Sequence, residues 1–174
     1  MDAAAGGWPD RIHRVLGELD VRQVAYVPDA GHTRLIELCQ ADPAMRAVPL
    51  TTEEEGVALA AGAWLGGQRA VLLLQSSGVG NCINMLALNQ VCRLPLLMLV
   101  TMRGEWGELN PWQLPMGQST AEALEAAGVI VQRLEAPEGA GETVRAAGNM
   151  AFEGQVPVAV LIAQRLIGAK SFDR

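Results

Sequence analysis

The chain has 174 residues, of which half are hydrophobic and 18% are charged, and its formal net charge at pH 7 is −6. This composition excludes a disordered chain, and no stretch approaches the ~20 apolar residues of a membrane-spanning helix. A negative charge without a run of Lys or Arg argues against a nucleic-acid partner. We therefore expect one domain over residues 1–174, with a core of about 11–165, that binds neither nucleic acid nor membrane.

The start of the chain and its cysteines bear on location. Residues 1–7 lack the basic flank and the apolar core of a secretory signal, which predicts a cytoplasmic protein. The spacing of Cys39, Cys82 and Cys92 matches neither a zinc site nor a disulfide framework. We expect three reduced thiols in core or half-buried positions, because a free cysteine behaves as a small hydrophobic residue.

Helix and strand patterns alternate from the beginning of the chain. An amphipathic helix is predicted at 9–19, a strand at 24–27 and a second helix at 33–39. A short strand at 47–50 precedes a helix that ends near Gly66. Thr51 or Thr52 is expected to cap this helix, with Glu54 or Glu55 completing a capping box.

The second half of the chain continues the alternation. Two continuously apolar segments, 70–74 and 94–100, predict parallel strands that are buried on both faces at the centre of a sheet. Between them, residues 75–81 (QSSGVGN) are expected to form a glycine-rich turn into a helix that runs to about Val91. After a polar loop at 103–117, the pattern predicts helices at 120–127 and 143–152 and strands at 129–133 and 156–162.

Repeated strand-helix-strand units predict an α/β fold, namely a doubly wound open parallel sheet. Ligands of such sheets bind in the crevice beyond the carboxyl ends of the strands. The loops that follow residues 27, 50, 74 and 100 are expected to share this edge of the sheet. Candidate functional residues are therefore sought in those four loops.

Two of these loops have both a structural and a functional interpretation. Glu53, Glu54 and Glu55 open a predicted helix, where each carboxylate offsets the helix macrodipole by about 0.3–1 kcal/mol without any ligand. Residues 75–81 lack the lysine of a phosphate loop and the full dinucleotide fingerprint. Their glycines fit either a closely packed turn or a close approach of the backbone to a ligand.

Four ordered motifs carry a resemblance to a known family: 27–29 (VPD), 53–62 (EEEGVALAAG), 75–81, and 103–105 (RGE) with 113–117 (QLPMG). Together they resemble the pyrimidine-binding domain of thiamine diphosphate enzymes. Within that family, the chain is most similar to the alpha subunit of sulfopyruvate decarboxylase and to the corresponding half of phosphonopyruvate decarboxylase. The resemblance implies a thiamine diphosphate-dependent carboxy-lyase that acts on a small acidic 2-oxoacid.

The resemblance also implies roles for individual residues at the cofactor. Glu53 would bind the aminopyrimidine ring and activate the cofactor, which carries the difficult chemistry of decarboxylation. Partial burial suits such a carboxylate, so we expect Glu53 to be the least exposed of the three glutamates. The other expected cofactor contacts are Ser76, Ser77, Gly78, Val79 and Asn81.

Arg103 and Gln113 are the expected substrate-binding residues. Arg103 follows the most apolar strand, and its planar guanidinium suits a sulfonate, a phosphonate or a carboxylate. The alternative is an ordinary ion pair with Glu105 or Glu108. Leu114 stands where phosphonopyruvate decarboxylases carry a histidine, and this departure favours the sulfopyruvate type.

His32 and Asp29 lie near the same edge and are candidate catalytic residues for proton transfer. The alternative for His32 is a solvated or capping side chain in a turn. Trp106 and Trp112 in the polar loop either line the mouth of the pocket or mark a protein interface, where aromatic residues are enriched.

The chain contains no Gly-Asp-Gly sequence, which in these enzymes belongs to a separate domain that holds the diphosphate and its Mg²⁺. The resemblance therefore implies a beta subunit with that domain, a hetero-oligomer and a shared cofactor, with no metal ligand in this chain. Two alternatives stay open. One is a non-catalytic subunit that stabilises or regulates such an enzyme, and the other is a doubly wound domain that binds a nucleotide or small anion.

Overall fold

A computed structural model of the chain describes residues 6–168. The two ends of the predicted domain at 1–174 lie outside the described residues. So does most of the segment 1–7, on which the cytoplasmic prediction is based. The strands are β1 (Val21–Tyr26), β2 (Arg46–Pro49), β3 (Arg69–Gln75), β4 (Leu96–Thr101), β5 (Ile130–Leu134) and β6 (Pro157–Ile162). They form one six-stranded sheet in the order β2-β1-β3-β4-β6-β5, and every neighbouring pair is parallel.

The helices connect these strands. In the described part of the chain they are α1 (Trp8–Glu18), α2 (Thr33–Ala41), α3 (Glu53–Leu65), α4 (Ser76–Cys82), α5 (Leu86–Cys92), α6 (Leu114–Ala126), α7 (Ala140–Gly154) and α8 (Gln164–Ile167). Short 3-10 turns precede α2, α6 and α7.

Helices cover both faces of the sheet. Along β3, Val71 and Leu73 belong to one buried cluster, whereas Leu72 and Leu74 belong to another, because successive side chains of a strand point to opposite faces. The first cluster includes residues of α1, α2 and α7, and the second includes residues of α3 to α6. The predicted doubly wound parallel sheet, with the two most apolar segments as central strands, is therefore confirmed.

The strand order determines where a ligand is expected to bind. The chain passes from β1 to β2 on one side and then returns to place β3 on the other side of β1. A crevice forms at such a switch point, beyond the carboxyl ends of the two strands. The loop after β1 and the start of α4 border this crevice, and the start of α3 lies at the same edge of the sheet.

Two predicted helix starts were wrong, and the predicted cap of α3 is confirmed in its position but not in its side-chain bonds. The helix expected to follow a glycine-rich turn begins earlier, at Ser76, and is divided into α4 and α5. Glycine is a poor helix former, but contacts of α4 with α3 and α6 override that preference. Helix α6 likewise begins at Leu114 instead of Thr120. Thr52 is the N-cap of α3 but makes no side-chain capping bond, and Glu55 instead accepts a 2.9 Å bond from the amide of Thr51.

The cysteines are free thiols, of which Cys39 and Cys82 are buried and Cys92 is exposed. The prediction of buried or half-buried positions is thus wrong for Cys92. Burial, assisted by the charges of Glu53 and Glu54, raises the pKa of Cys82 to about 12. Its neutral thiol is a packing group of the core. Among the described helices, none is long and apolar enough to cross a membrane.

Truncation of a central core side chain tests this packing. Leu97 of β4 is completely buried, and the variant Leu97→Ala is expected to lower the free energy of unfolding by about 2–5 kcal/mol, since a cavity remains. Leu65 at the end of α3 is 78% exposed, so Leu65→Ala should change stability by less than about 0.5 kcal/mol. Urea denaturation followed by circular dichroism measures both values, and equal effects would contradict the described core.

Candidate functional site

The carboxylate of Asp29 joins the ends of three adjacent strands. It follows β1, and its Oδ1 accepts a 2.7 Å bond from Nε2 of Gln75 at the end of β3. Its Oδ2 accepts a 2.6 Å bond from the hydroxyl of Thr101 at the end of β4 and a 3.2 Å bond from the amide of Gly31. Both oxygens are thus engaged within the protein. These contacts give Asp29 a structural role, and its predicted part in proton transfer stays a prediction.

Glu53 is the first residue of α3 and lies against α4. Its Oε2 accepts a 2.7 Å hydrogen bond from Nδ2 of Asn81. A Cβ atom added to Gly78 would overlap the carboxyl group and Cγ of Glu53, so the glycine leaves the space that this side chain occupies. Two of the predicted cofactor-binding residues, Gly78 and Asn81, therefore contact Glu53 itself.

The three glutamates of α3 differ in exposure. Glu53 and Glu54 are half-buried, whereas Glu55 is exposed. The predicted order is confirmed for Glu53 relative to Glu55, and Glu53 and Glu54 fall in the same class. Within residues 6–168, the Oε1 atom of Glu53 has no hydrogen-bond partner among the side-chain bonds of the site. A half-buried carboxylate with one free oxygen fits a ring nitrogen with which it can share a proton.

The remaining predicted cofactor contacts divide into buried and accessible side chains. Ser76 and Val79 are completely buried, and the hydroxyl of Ser76 accepts a 3.0 Å bond from the amide of Arg103. Their predicted role as cofactor contacts stays a prediction. Ser77 is half-buried, and its hydroxyl donates a 2.9 Å bond to Oε1 of Gln75. Gln75 thereby connects Asp29 to the first turn of α4.

His32 is buried in the protein. Its side chain has no exposed surface, and its Nε2 lies 3.0 Å from the carbonyl oxygen of Leu99 in β4. Burial lowers the pKa of His32 below its ordinary value, so the imidazole is neutral. The alternative of a solvated histidine is therefore wrong, and the predicted catalytic role of His32 stays a prediction.

Arg103 forms a buried ion pair instead of presenting its charge to the crevice. Its Nε and Nη2 each donate a 2.6 Å bond to the carboxylate of Glu108. The side chains of Arg103 and Glu108 are only 8% and 3% exposed. The ion-pair alternative is therefore correct for Arg103, whereas Glu105 pairs with Arg133. Glu108 occupies the Nε–Nη2 edge of the guanidinium, and the predicted binding of substrate by Arg103 stays a prediction.

Glu108 organises the loop that follows β4. Besides Arg103, its carboxylate accepts bonds from the amides of Gly104 and Asn110 and from Nε2 of Gln164. These donors and the arginine hold the pKa of Glu108 at about 2, below its ordinary value. The sequence did not single out Gln164, Gln75 or Thr101, which all belong to these networks. All three are polar residues at or just beyond the end of a strand, and this position in the sequence could have identified them.

An apolar groove lies beside α4 at the start of α6. Its volume is about 700 Å³, and Ser77, Trp112 and Met116 are among its lining residues. Trp112 is 83% exposed and Leu109 is 65% exposed. Gln113, in the same turn, is half-buried, and its Oε1 is buried without a hydrogen-bond partner within the described residues. The groove therefore presents exposed apolar groups beside α4, and the side chain of Gln113 lies in the adjoining turn.

Comparison with known proteins agrees with this arrangement. Residues 9–126 match the family described as "Thiamine pyrophosphate enzyme, N-terminal TPP binding domain". The match includes both Glu53 and the residues of α4 that contact it. The chain belongs to this family. A chain of 2-oxoglutarate:ferredoxin oxidoreductase from Magnetococcus marinus has the same fold, with a TM-score of 0.78 over 93% of this chain and 29% of that chain at 17% identity.

Relatives within the family carry specific names. The chain is 31% identical to "Sulfopyruvate decarboxylase subunit alpha" of Methanococcus maripaludis, over 88% of this chain and 92% of the relative. It is 36% identical to the protein of that name from Methanothermobacter thermautotrophicus, over 78% and 83%. It is also 41% identical to "Phosphonopyruvate decarboxylase" of Streptomyces viridochromogenes, over 62% of this chain and 28% of the relative. The predicted membership in the thiamine diphosphate enzymes is thus confirmed.

The Arg103–Glu108 pair generates a pH-dependent prediction. A carboxylate whose pKa is depressed on folding stabilises the protein above its unfolded pKa, and this contribution is lost as the pH falls to the folded value. For Glu108 that interval runs from about 4.5 down to about 2. We expect Glu108→Gln to lower stability at pH 7 by about 3–5 kcal/mol, because Arg103 becomes a buried unpaired charge, and to flatten the acid dependence in this interval.

Urea denaturation at a series of pH values measures both effects. Glu135 is the matched control, since it pairs with Arg133 but its side chain is 73% exposed. Glu135→Gln should leave the stability at pH 7 and its acid dependence near those of the wild type. An acid dependence of Glu108→Gln that parallels the wild type would show that this ion pair is not a source of stability.

Proposed function

We propose that this chain is the alpha subunit of a thiamine diphosphate-dependent 2-oxoacid decarboxylase of the sulfopyruvate type, which converts sulfopyruvate to sulfoacetaldehyde and carbon dioxide. One observation carries the proposal: a half-buried carboxylate with a free oxygen, Glu53, lies at the switch-point edge of a chain that spans 92% of a relative named as such a subunit. Leu114, where phosphonopyruvate decarboxylases carry a histidine, supports the sulfopyruvate type.

Glu53 is the proposed catalytic residue. It would hold the aminopyrimidine ring of the cofactor through its free oxygen and share a proton with that ring. When bound, thiamine diphosphate supplies the carbanion chemistry and accepts the electron pair that remains when carbon dioxide leaves. The protein orients the carboxylate through Asn81 and Gly78. Ser77 is a polar side chain that lines the groove at this edge, and Gln113 stays a proposed substrate-binding residue.

A second subunit is part of the proposal. The chain lacks the Gly-Asp-Gly sequence, so the diphosphate and Mg²⁺ are assigned to a beta subunit that carries the complementary domain. The exposed apolar side chains of Trp112 and Leu109, next to the proposed cofactor edge, provide a surface for this partner. Large exposed apolar patches on soluble domains commonly mark such interfaces. The active enzyme would then be a hetero-oligomer with one site between two chains.

Replacement of Glu53 tests the catalytic assignment. In the complex with the beta subunit, Glu53→Gln is expected to lower kcat by about 100- to 10,000-fold, since proton sharing is lost while the shape is retained. Size-exclusion chromatography should show an intact complex. Glu55→Gln is the matched control, because Glu55 is exposed in the same helical turn, and its turnover should stay near that of the wild type. Full turnover of Glu53→Gln would exclude the proposed role.

The choice of substrate and partner is tested by carbon dioxide release. The chain is purified alone and together with the candidate beta subunit, in thiamine diphosphate and Mg²⁺, and is supplied with sulfopyruvate, phosphonopyruvate or pyruvate. We expect release only with both chains and fastest with sulfopyruvate. Fastest release from phosphonopyruvate would overturn the substrate assignment. A stable complex without release from any of them would favour the non-catalytic subunit instead.

A further inference from the structure

We propose that Asn81 and Gly78 act together as positioning residues for Glu53, and not as direct contacts of the cofactor. The inference deepens the proposed function, and its catalytic part rests on that function. Asn81 would fix Oε2 of Glu53 and leave Oε1, which lies beside Gly78, available to the ligand. Gly78 would leave the space into which the carboxyl group of Glu53 fits.

The two contacts restrain different freedoms of one side chain. A glutamate has three rotatable side-chain bonds, and at the exposed start of a helix it samples several rotamers. The 2.7 Å bond from Nδ2 of Asn81 holds Oε2 of Glu53. The backbone at Gly78 lies against Cγ, Cδ and Oε1 of the same side chain. The hydrogen bond restrains the end of the Glu53 side chain, and the contact with Gly78 restrains one of its faces.

Glu53 is far from Gly78 and Asn81 in the sequence, so only the folded chain brings them into contact. Glu53 begins α3, which follows the edge strand β2, whereas Gly78 and Asn81 belong to α4, which follows the central strand β3. Gly78 and Asn81 are three residues apart in a helix and therefore lie on one face. This face of α4 is turned toward the start of α3, with which α4 packs.

The two glycines of α4 provide a matched pair of variants. In Gly78→Ala the new methyl group would overlap the Glu53 carboxyl group, whereas in Gly80→Ala it would meet only Sδ of Met116, at 3.5 Å. Alanine is the better helix former in both places. Because the overlapping atoms are the end of a flexible side chain, Gly78→Ala should fold well while displacing Glu53. Stability and activity are then expected to change in opposite directions.

The expected results follow from this geometry. Urea unfolding of both variants should occur at the wild-type midpoint or above it. In the complex with the beta subunit, Gly78→Ala should lower kcat about 100-fold, since a displacement of about 1 Å has that effect on an oriented catalytic group. Gly80→Ala should retain wild-type turnover. Equal losses in the two variants would overturn the inference, because they would indicate a general intolerance of α4 to side chains.

Variants of Asn81 test the hydrogen bond. Asn81→Ala should lower kcat with little change in the urea midpoint, because Asn81 is exposed in the isolated chain. Asn81→Asp replaces the donor with a carboxylate, and two carboxylates at hydrogen-bond distance are favoured only when they share a proton. Its kcat should therefore recover toward acid pH relative to the wild type. Unchanged kcat in Asn81→Ala, or a wild-type pH profile in Asn81→Asp, would overturn the role of Asn81.

Crystal structures of the subunit without cofactor give a readout that is independent of activity. The carboxyl group of Glu53 should occupy one position in the wild type and in Gly80→Ala, and other positions in Gly78→Ala and Asn81→Ala. An unmoved carboxylate in both of the latter would refute the positioning roles. If Glu53→Gln keeps full turnover, the proposed function of Glu53 fails, and these structures still decide whether the two residues position its side chain.

Discussion

Hydrogen bonds from Gln75 and Thr101 to the carboxylate of Asp29 tie together the carboxyl ends of β1, β3 and β4. Beyond the last ladder bond, parallel strands have no regular means of holding their ends together. A carboxylate with two acceptor oxygens can join two neighbours at once, and bonds to a charged group are stronger than those between neutral groups. The same network continues through Gln75 to Ser77 and thereby to the first turn of α4. The position of the candidate site thus depends on it.

The loop beyond β4 is organised by a different interaction of the same kind. Burial of Arg103 and Glu108 has a desolvation cost that their attraction offsets only with good geometry and additional hydrogen bonds. Here the geometry is bidentate, and Gly104, Asn110 and Gln164 donate further bonds to Glu108. The ion pair and these bonds therefore specify the path of the loop. That path brings Trp112 to the surface beside α4.

Under the proposed function, the half-buried state of Glu53 acquires a physical meaning. A carboxylate at a solvated edge interacts weakly with any ligand, because water screens its charge. A second chain that covers the groove near Trp112 would exclude water and strengthen the contact between Glu53 and the cofactor. The division of one active site between two chains would then couple assembly to catalysis. Asn81 and Gly78 keep the carboxylate oriented before the partner arrives.

The sequence by itself determined the layered fold and its family. Continuous apolar segments are the pattern expected of parallel strands covered on both faces, and the ordered motifs around Glu53 carried the resemblance. Tertiary structure alone decided which polar groups meet. It buried His32 against Leu99, paired Arg103 with Glu108, and placed Gly78 in a helix under Glu53. The physical reason is that the periodicity of apolar residues indicates which side of a helix or strand is buried. Hydrogen-bond partners, in contrast, lie at strand ends that are distant in the sequence and adjacent only in the folded sheet.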